Sequence, residues 1–224
     1  MTAELPEQGN IDLSVTFFET FGFNLSCDIL DVGTRFGSFL QRLNALGYKA
    51  IKGIDTDPGV LVHGRERYPD LASNLISYEG QCFPFDSGTF DVVTAFDVIE
   101  HVPHLRKFLA ETRRVLRPGG TFIFQTPNLL INVPKEIIYT GSWTGWRRYH
   151  CSLQTLGSLK TLLSAAGFVA TVVEKRPICS DFNIAQSRDH LGQLGPKVLR
   201  LLQTFPLWLY PNFWGHAHNP QREF

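Results

Sequence analysis

A short stretch with one acidic residue and two glycines, DVGTRFG, follows the first strongly apolar run of the chain and covers residues 31–37. A carboxylate such as Asp31 at the end of a strand can take an amine or another cationic group. Gly33 leaves room for a ligand across the strand end, and Gly37 opens a helix whose amides and dipole favour a carboxylate. The turn therefore predicts a ligand that carries an ammonium and a carboxylate, such as an amino acid moiety.

Acidic residues also follow the next two apolar runs. Asp55, about twenty residues after the glycine turn, is placed to accept hydrogen bonds from both hydroxyls of a ribose. Glu79 follows the third run, where its carboxylate would accept from an adenine amino group. An amino acid, a ribose and an adenine in one line predict S-adenosylmethionine as the ligand.

These acidic residues must be positioned by the short apolar runs, which alternate with amphipathic ones. We expect strands over 28–32, 50–54, 75–78, 90–96, 121–125 and 168–174, and helices over 11–23, 37–46, 59–67, 102–116 and 154–166. The Pro-Gly-Gly sequence at 118–120 is expected to turn the chain from a helix into the fifth strand. This alternation predicts an α/β fold with a single doubly wound, Rossmann-like sheet, parallel in its main part and covered by helices on both faces. Ligands bind at the carboxyl ends of the strands in such sheets.

Composition limits the classes of function. The 224 residues include 21 basic and 21 acidic side chains, so the formal net charge is zero and nucleic-acid binding is not expected. Four scattered cysteines without metal or disulfide spacing are typical of a reducing compartment, and no apolar run is long enough to span a membrane. We expect a cytoplasmic, single-domain protein. Residues 1–26 would form a leading helix, 27–127 the cofactor-binding half, 128–152 a lid-like insertion after the fifth strand, and 153–224 the substrate-side half.

Five stretches in order, ILDVGTRFGSFLQRL, GIDTDPGVL, CFPFDSGTFDVVTAFDVIEHV, FLAETRRVLRPGGTFIFQTPN and LLSAAGF, cover about residues 27 to 170. Together they resemble a class I S-adenosylmethionine-dependent methyltransferase, of the broad group that includes the ubiquinone- and menaquinone-biosynthesis enzymes. The resemblance implies S-adenosylmethionine as cofactor and a final antiparallel hairpin, for which GHAHNPQREF makes a poor second strand. It also implies cofactor contacts from Asp31, Gly33, Thr34, Arg35 and Gly37 in the turn, Asp55 at the ribose, Thr56, Glu79, Gly80 and Gln81 around the adenine, and Phe96 and Asp97 near the sulfonium.

Arg35 is the largest departure from that pattern, because it stands where such turns often have a glycine. An arginine there must hold a strained backbone at a cost of about 1–2 kcal/mol, or abandon it. Its guanidinium could instead pair with the ligand's carboxylate or with Asp31. We expect the cofactor site to be retained, with a non-catalytic binding module of the same fold as the alternative. A nicotinamide-dependent oxidoreductase is disfavoured, because the turn lacks G-x-G-x-x-G.

Two histidines are candidate catalytic residues. A general base is needed only where the acceptor must lose a proton, and His150, in RRYH, and His101, in DVIEHV, lie near the predicted ligand edge. His101 has a structural alternative in which it braces the following helix together with Glu100. Asp97, Glu100 and His101 also match a string that is associated with a divalent metal in some ubiquinone-pathway relatives, but we assign no metal site.

The remaining aromatic and apolar segments point to an acceptor or a partner. Trp143, Trp146 and Tyr149 in the insertion are predicted to stack on a flat or apolar acceptor, or to pack the insertion onto the domain. Residues 195–214 are expected to form an apolar helix followed by aromatics, buried against the sheet or a second subunit, with a membrane surface as the alternative. His216 and His218 are expected in an exposed tail. The sequence thus predicts an enzyme that methylates oxygen or nitrogen on a small-molecule acceptor.

Overall fold

The computed structural model describes residues 5–148, 150–178 and 181–221. The described residues form one seven-stranded sheet of order β3-β2-β1-β4-β5-β7-β6. The strands are β1 (Ile29–Val32), β2 (Ile51–Asp55), β3 (Leu75–Ser77), β4 (Phe90–Phe96), β5 (Leu116–Pro127), β6 (Val169–Glu174) and β7 (Asn212–His218). Strands β1 to β5 are parallel to one another, and β7 is antiparallel to both β5 and β6. The predicted Rossmann-like α/β fold with a C-terminal antiparallel strand is confirmed.

Helices cover both faces of this sheet. They are α1 (Leu5–Glu19), α2 (Ser38–Ala45), α3 (Pro58–Arg67), α4 (Leu105–Val115), α5 (Leu129–Thr140), α6 (Leu156–Ala165), α7 (Asp181–Leu191) and α8 (Gly195–Gln203). One core cluster joins the sheet to α4 and α6, and a second joins it to α1, α2 and α3. Burial on both faces explains why the strands are apolar in nearly continuous runs.

Strand β1 lies at the point where the strand order reverses. The chain runs from β1 outward to β2 and β3, and then returns to the other side of β1 for β4 and β5. The connections after β1 and β4 therefore leave the sheet in opposite directions and open a crevice between their carboxyl ends. The residues that follow these two strands form the walls of that crevice.

The turn predicted at 118–120 is wrong. Helix α4 ends at Val115 and β5 begins at once, so Pro118 and the two glycines lie inside the strand, where the register with β4 shifts. Gly119 has a φ of +82° and its N–H donates to Asn219 O, while Asn219 N–H donates to Gly120 O. The Pro-Gly-Gly sequence therefore forms an irregularity within the strand rather than a turn before it.

The expectations for the C-terminus also need correction. Strand β7 pairs with β5 in one unbroken register, from Thr121 opposite His218 to Pro127 opposite Asn212, so the last strand is complete. His216 and His218 belong to this strand, and the Nδ1 of His218 lies 3.1 Å from the hydroxyl of Thr121, so the predicted exposed tail is wrong.

Between β6 and β7 the chain makes a second insertion, residues 175–211, which contains α7 and α8. Because β6 runs parallel to β5, the insertion leaves the sheet at the carboxyl edge. The buried Tyr210 anchors its base, since the phenol donates to Arg176 O at 2.7 Å. No described helix combines the length and apolar character needed to span a membrane.

Candidate functional site

A cavity of about 820 Å³ opens at the carboxyl ends of β1, β2, β3 and β4. Its volume is in the range of sites that hold cofactors and small substrates. The sequence-predicted residues in its wall are Asp31, Gly33, Thr34, Arg35, Asp55, Thr56, Gly80, Phe96, Asp97 and His101. The fold thus brings one end of each of four strands, together with the short helical turn after β4, around one space.

The DVGTRFG turn is fastened to the end of β2. The N–H groups of Gly33 and Thr34 donate to Ile54 O at 2.8 and 3.1 Å. Gly33 has a φ of +73°, and a Cβ added to it would collide with the side chain of Val98. Only glycine meets both requirements, so this part of the turn approaches the cavity as bare backbone. Gly37 also has a positive φ, +80°, but it is buried beneath the turn rather than in the cavity wall.

Arg35 keeps the left-handed conformation that the sequence pattern reserves for glycine. Its φ is +49°, and its N–H donates to Oδ2 of Asp55 at 2.8 Å. The side chain is exposed, with Cζ 5.4 Å from the centroid of the Phe36 ring. The hydrogen bond to Asp55 stabilises this backbone conformation.

Asp31 is a buried carboxyl at the end of β1, with 4% of its surface exposed. The hydroxyl of Thr94 donates to its Oδ1 at 2.7 Å. Burial raises the pKa of Asp31 to about 7, against the opposing effect of the Thr94 and Thr34 hydroxyls. A cationic group bound beside it would restore the ionised form, so the site suits an ammonium group.

Asp55 closes the neighbouring strand β2. Its Oδ2 accepts from Arg35 N–H and its Oδ1 accepts from Asp57 N–H at 2.9 Å. Each carboxylate oxygen has a second lone pair, so two hydroxyl groups of a ribose could still donate to it. Asp55 therefore stabilises the turn and can also accept hydrogen bonds from a ligand.

The third strand places its residues differently from the prediction. Strand β3 ends at Ser77, and Tyr78 rather than Glu79 enters the cavity wall. Burial, and then the charge of Asp55, raise the pKa of Tyr78 to about 12, so the phenol remains a donor. Glu79 and Gln81 are exposed outside the wall. Their predicted contacts with the adenine are untested.

The opposite side of the cavity holds two carboxyl groups, the exposed Asp97 and the buried Glu100. Asp97 has a φ of +53°, and its N–H donates to the backbone oxygen and to Oε1 of Gln125. Desolvation of its carboxyl raises the pKa of Asp97. Glu100 is 1% exposed and accepts from the Thr126 hydroxyl at 2.9 Å; burial, and then the charge of Asp97, raise its pKa to about 8. Glu100 is therefore mainly protonated at neutral pH.

The two predicted catalytic histidines meet beside this pair. The ring centroids of His101 and His150 are 5.1 Å apart, and Nε2 of His101 lies 3.9 Å from Oε1 of Glu100. Burial, and then the charge of His101, lower the pKa of His150. Its Nδ1 is buried without a hydrogen-bond partner among the described residues. Glu100, His101 and His150 offer ligand atoms within 4.8 Å of one another, a spacing that would also accommodate a divalent cation.

Comparison with known proteins identifies the family. Residues 8–173 match the family model described as a methyltransferase domain. The chain belongs to the class I S-adenosylmethionine-dependent methyltransferases. The resemblance predicted from the five stretches is thereby confirmed.

Individual relatives of this methyltransferase are moderately similar. A probable S-adenosylmethionine-dependent methyltransferase of Mycolicibacterium smegmatis is 32% identical over 143 residues, which cover 63% of this chain and 51% of the relative. A ubiquinone biosynthesis O-methyltransferase of Nitrosococcus oceani is 33% identical over 115 residues, 50% of this chain and 47% of the relative. The solved phosphoethanolamine N-methyltransferase 2 of Haemonchus contortus, in complex with S-adenosyl-L-methionine, shares the fold with a TM-score of 0.67 and 16% identity, covering 94% of this chain and 53% of that one. The methyltransferase thus spans about half the length of these proteins.

The two tryptophans of the first insertion lie outside the described cavity wall. Trp143 is 80% exposed, and Trp146 is half-buried with the Arg147 guanidinium 5.2 Å from its ring centroid. Tyr149 lies outside the described residues. The predicted contact of these three residues with an acceptor is untested.

Several residues of the cavity wall were missed by the sequence reasoning. Ile11 and Ser14 reach the cavity from α1, and Val98 and Val102 come from the chain after β4. Ser14 carried a signal that could have been used, since it is a polar residue, 5% exposed, between apolar neighbours of the leading helix. The leading helix is therefore part of the site and not only a support for the sheet.

Proposed function

We propose that the methyltransferase binds S-adenosylmethionine in the cavity and transfers its methyl group to an oxygen or nitrogen of a small-molecule acceptor. The observation that carries this proposal is the shared wall of one cavity: Asp31 and Asp55 are at one side and His101 at the other. When bound, the cofactor supplies a methyl group that is already activated by the sulfonium. The remaining work of the protein is to position the acceptor and to accept its proton.

The cofactor-binding roles follow from the chemistry of the wall. The buried Asp31 would take the ammonium group of the methionine part, and the bare backbone at Gly33 would lie against it. Asp55 would accept from the ribose hydroxyls. Thr56, Gly80 and Tyr78, at the ends of β2 and β3, would surround the adenine.

His150 is the base in this proposal, with His101 beside it. A base must be neutral to accept a proton, and the lowered pKa of His150 keeps it neutral at physiological pH. Its unpaired buried Nδ1 also requires a partner, which the acceptor or a water would provide. Glu100, fixed by Thr126, would hold the ring of His101 in place.

The acceptor class is an aromatic, lipid-like or sugar-derived metabolite. The apolar residues Val98, Val102 and Phe108 of the cavity wall suit such a molecule. A formal net charge of zero supports a small molecule rather than a nucleic acid. A cytoplasmic location belongs to the same proposal.

The test is a panel of phenols, aliphatic alcohols and amines, scored by formation of S-adenosylhomocysteine. With an active acceptor, His150→Gln should lower kcat by about 10²-fold or more and leave cofactor affinity unchanged. His63→Gln, at an exposed histidine of α3, is the matched control. In the parent protein kcat should fall only as the pH drops below the ordinary histidine pKa. An unchanged kcat, or an unchanged pH profile in His150→Gln, would remove the base from the proposal.

A further inference from the structure

Helix α8 carries apolar side chains that are exposed to solvent. It contains Val198, Leu199, Leu201 and Leu202, yet Gly195 is its one buried residue. Val198 is 40% exposed and Leu201 is 60% exposed. A helix with this composition normally buries such residues against its own domain.

The exposed residues follow the helical repeat. Leu194, Val198 and Leu201 are spaced by four and three residues, so they lie on one side of the helix. Trp208, 54% exposed, follows in the next short turn, and Leu194 is 64% exposed. These four residues are called the apolar stripe below.

The charged residues of α8 have one sign. Lys197 and Arg200 are exposed on the same helix, and α8 itself contains no aspartate or glutamate. The two basic side chains of α8 favour an anionic surface. An amphipathic helix with basic flanks and a tryptophan is the pattern that lies in the interface of a bilayer.

The apolar stripe is held on a firm base. Gly195 lies directly against the backbone of Ser187, which locks α8 to α7. Gln203 accepts from Ile178 N–H at 2.9 Å, and Lys175 donates to Phe205 O at 3.0 Å. These contacts pack α8 against α7 and join the insertion to residues 175–178, with the apolar stripe left exposed.

The first insertion adds further apolar exposure at the same edge of the sheet. Ile138 and Trp143 are 79% and 80% exposed, and Leu130 is 39% exposed. The two insertions are joined where the Asn128 side chain donates to the backbone oxygens of Trp208 and Tyr210 at 3.0 and 2.8 Å. Both leave the sheet at its carboxyl edge, where the cavity opens.

We propose that the apolar stripe docks the methyltransferase on a lipid bilayer that carries anionic headgroups. Leu194, Val198, Leu201 and Trp208 enter the interface, while Lys197 and Arg200 contact the headgroups. The docking surface belongs to an insertion that leaves the sheet at the edge where the cavity opens, so an acceptor dissolved in that bilayer would be presented to this edge. This last consequence rests on the proposed function, whereas the docking itself does not.

The test is co-sedimentation of the full chain with phosphatidylcholine vesicles, with and without phosphatidylglycerol. The protein should bind the anionic vesicles more tightly, and added salt should weaken binding. Leu201→Glu should reduce the partition coefficient at least tenfold. Leu25→Glu is the matched control, because Leu25 is 52% exposed and precedes β1 at the opposite edge of the sheet.

A second pair of variants tests the charge alone. Lys197→Gln and Arg200→Gln should each lower binding to anionic vesicles about fivefold and leave binding to neutral vesicles unchanged. Equal melting temperatures of all variants would show that folding is not affected. Titration of Leu201→Glu with S-adenosylhomocysteine should give the affinity of the parent protein, which separates failure of docking from failure of the proposed cofactor site.

Two results would overturn the proposal. The first is that the parent protein does not sediment with anionic vesicles, or that Leu201→Glu sediments with them to the same extent as the parent protein. The other is a concentration-dependent dimer in light scattering that Leu201→Glu dissociates while vesicles bind neither form. The apolar stripe would then be an interface between copies of the chain.

Discussion

Replacing Asp31 by asparagine should stabilise the protein and impair cofactor binding at the same time. The carboxyl is buried, and burial raises its pKa to about 7 from the usual 3.8. This difference corresponds to a free energy on the order of 4 kcal/mol by which ionised Asp31 destabilises the fold. Asparagine fills nearly the same space, and its oxygen can still accept from the Thr94 hydroxyl.

The sign of the pH dependence follows from the raised pKa. The stabilising contribution of protonated Asp31 is complete below the usual pKa and is lost as the pH rises through about 7. The free energy of unfolding should be measured with denaturant at pH 5 and at pH 8. Between these two pH values it should fall by about 3 kcal/mol less in Asp31→Asn than in the parent protein. Cofactor affinity of the parent protein should rise with pH over the same interval, because an ammonium group binds the ionised carboxylate.

Calorimetry with S-adenosylhomocysteine completes this experiment. Asp31→Asn should weaken binding by about 1.5–3 kcal/mol, the range for a hydrogen bond to a charged group. Asp70→Asn, at an exposed carboxylate of the 69–74 turn, is the control and should change neither quantity. The reasoning is refuted if Asp31→Asn unfolds more easily than the parent protein at pH 8, or if it binds the ligand equally well.

Three further predictions concern the turn and the histidine pair. Asp55→Ala should weaken S-adenosylhomocysteine binding by about 1–3 kcal/mol in calorimetry, because the ribose contacts and the bond to Arg35 N–H are both lost; unchanged affinity would remove Asp55 from the site. Arg35→Gly should relieve the φ of +49° and raise the free energy of unfolding by up to about 1 kcal/mol without loss of affinity; a tenfold weaker affinity would instead show that the guanidinium contacts the cofactor. A chelator should leave turnover unchanged if His150 acts as a base; loss of turnover that a divalent cation restores would place a metal at Glu100, His101 and His150.

The cofactor side of the fold was predictable because its signals are local. An acid, two glycines and a helix start within seven residues specify the strand-to-helix turn, and Asp55 follows it at a fixed distance. The turn even tolerates Arg35, since one backbone hydrogen bond to Asp55 stabilises the left-handed conformation. These features need no knowledge of distant parts of the chain.

The last strand, β7, was not predicted because the residues in it are determined by packing against strands that are distant in the sequence. Gly215 and two histidines are poor strand formers, but a Cβ at Gly215 would come within 2.7 Å of the Phe124 ring and of Val172 O. Packing against the neighbouring strands therefore demands glycine in the middle of β7, where propensity argues against it. The 37 residues of the second insertion (175–211) further separate β7 from β6 and hide the hairpin.

The predicted end of β3 differs from the observed end by one residue, and this difference affects which side chain lies in the cavity wall. We predicted β3 through residue 78, whereas it ends at Ser77. Neighbouring residues in an extended chain point in opposite directions, so the cavity wall received Tyr78 and excluded Glu79. The sequence locates the site to a strand end, but the side chain that enters it depends on a single residue of register.

Calorimetric titration with S-adenosylmethionine and with S-adenosylhomocysteine tests the central claim most directly. We predict saturable one-site binding of both ligands with dissociation constants in the micromolar range, weakened in Asp31→Asn and Asp55→Ala. The absence of binding at millimolar ligand in the parent protein would contradict the cofactor site, and with it the proposed methyl transfer.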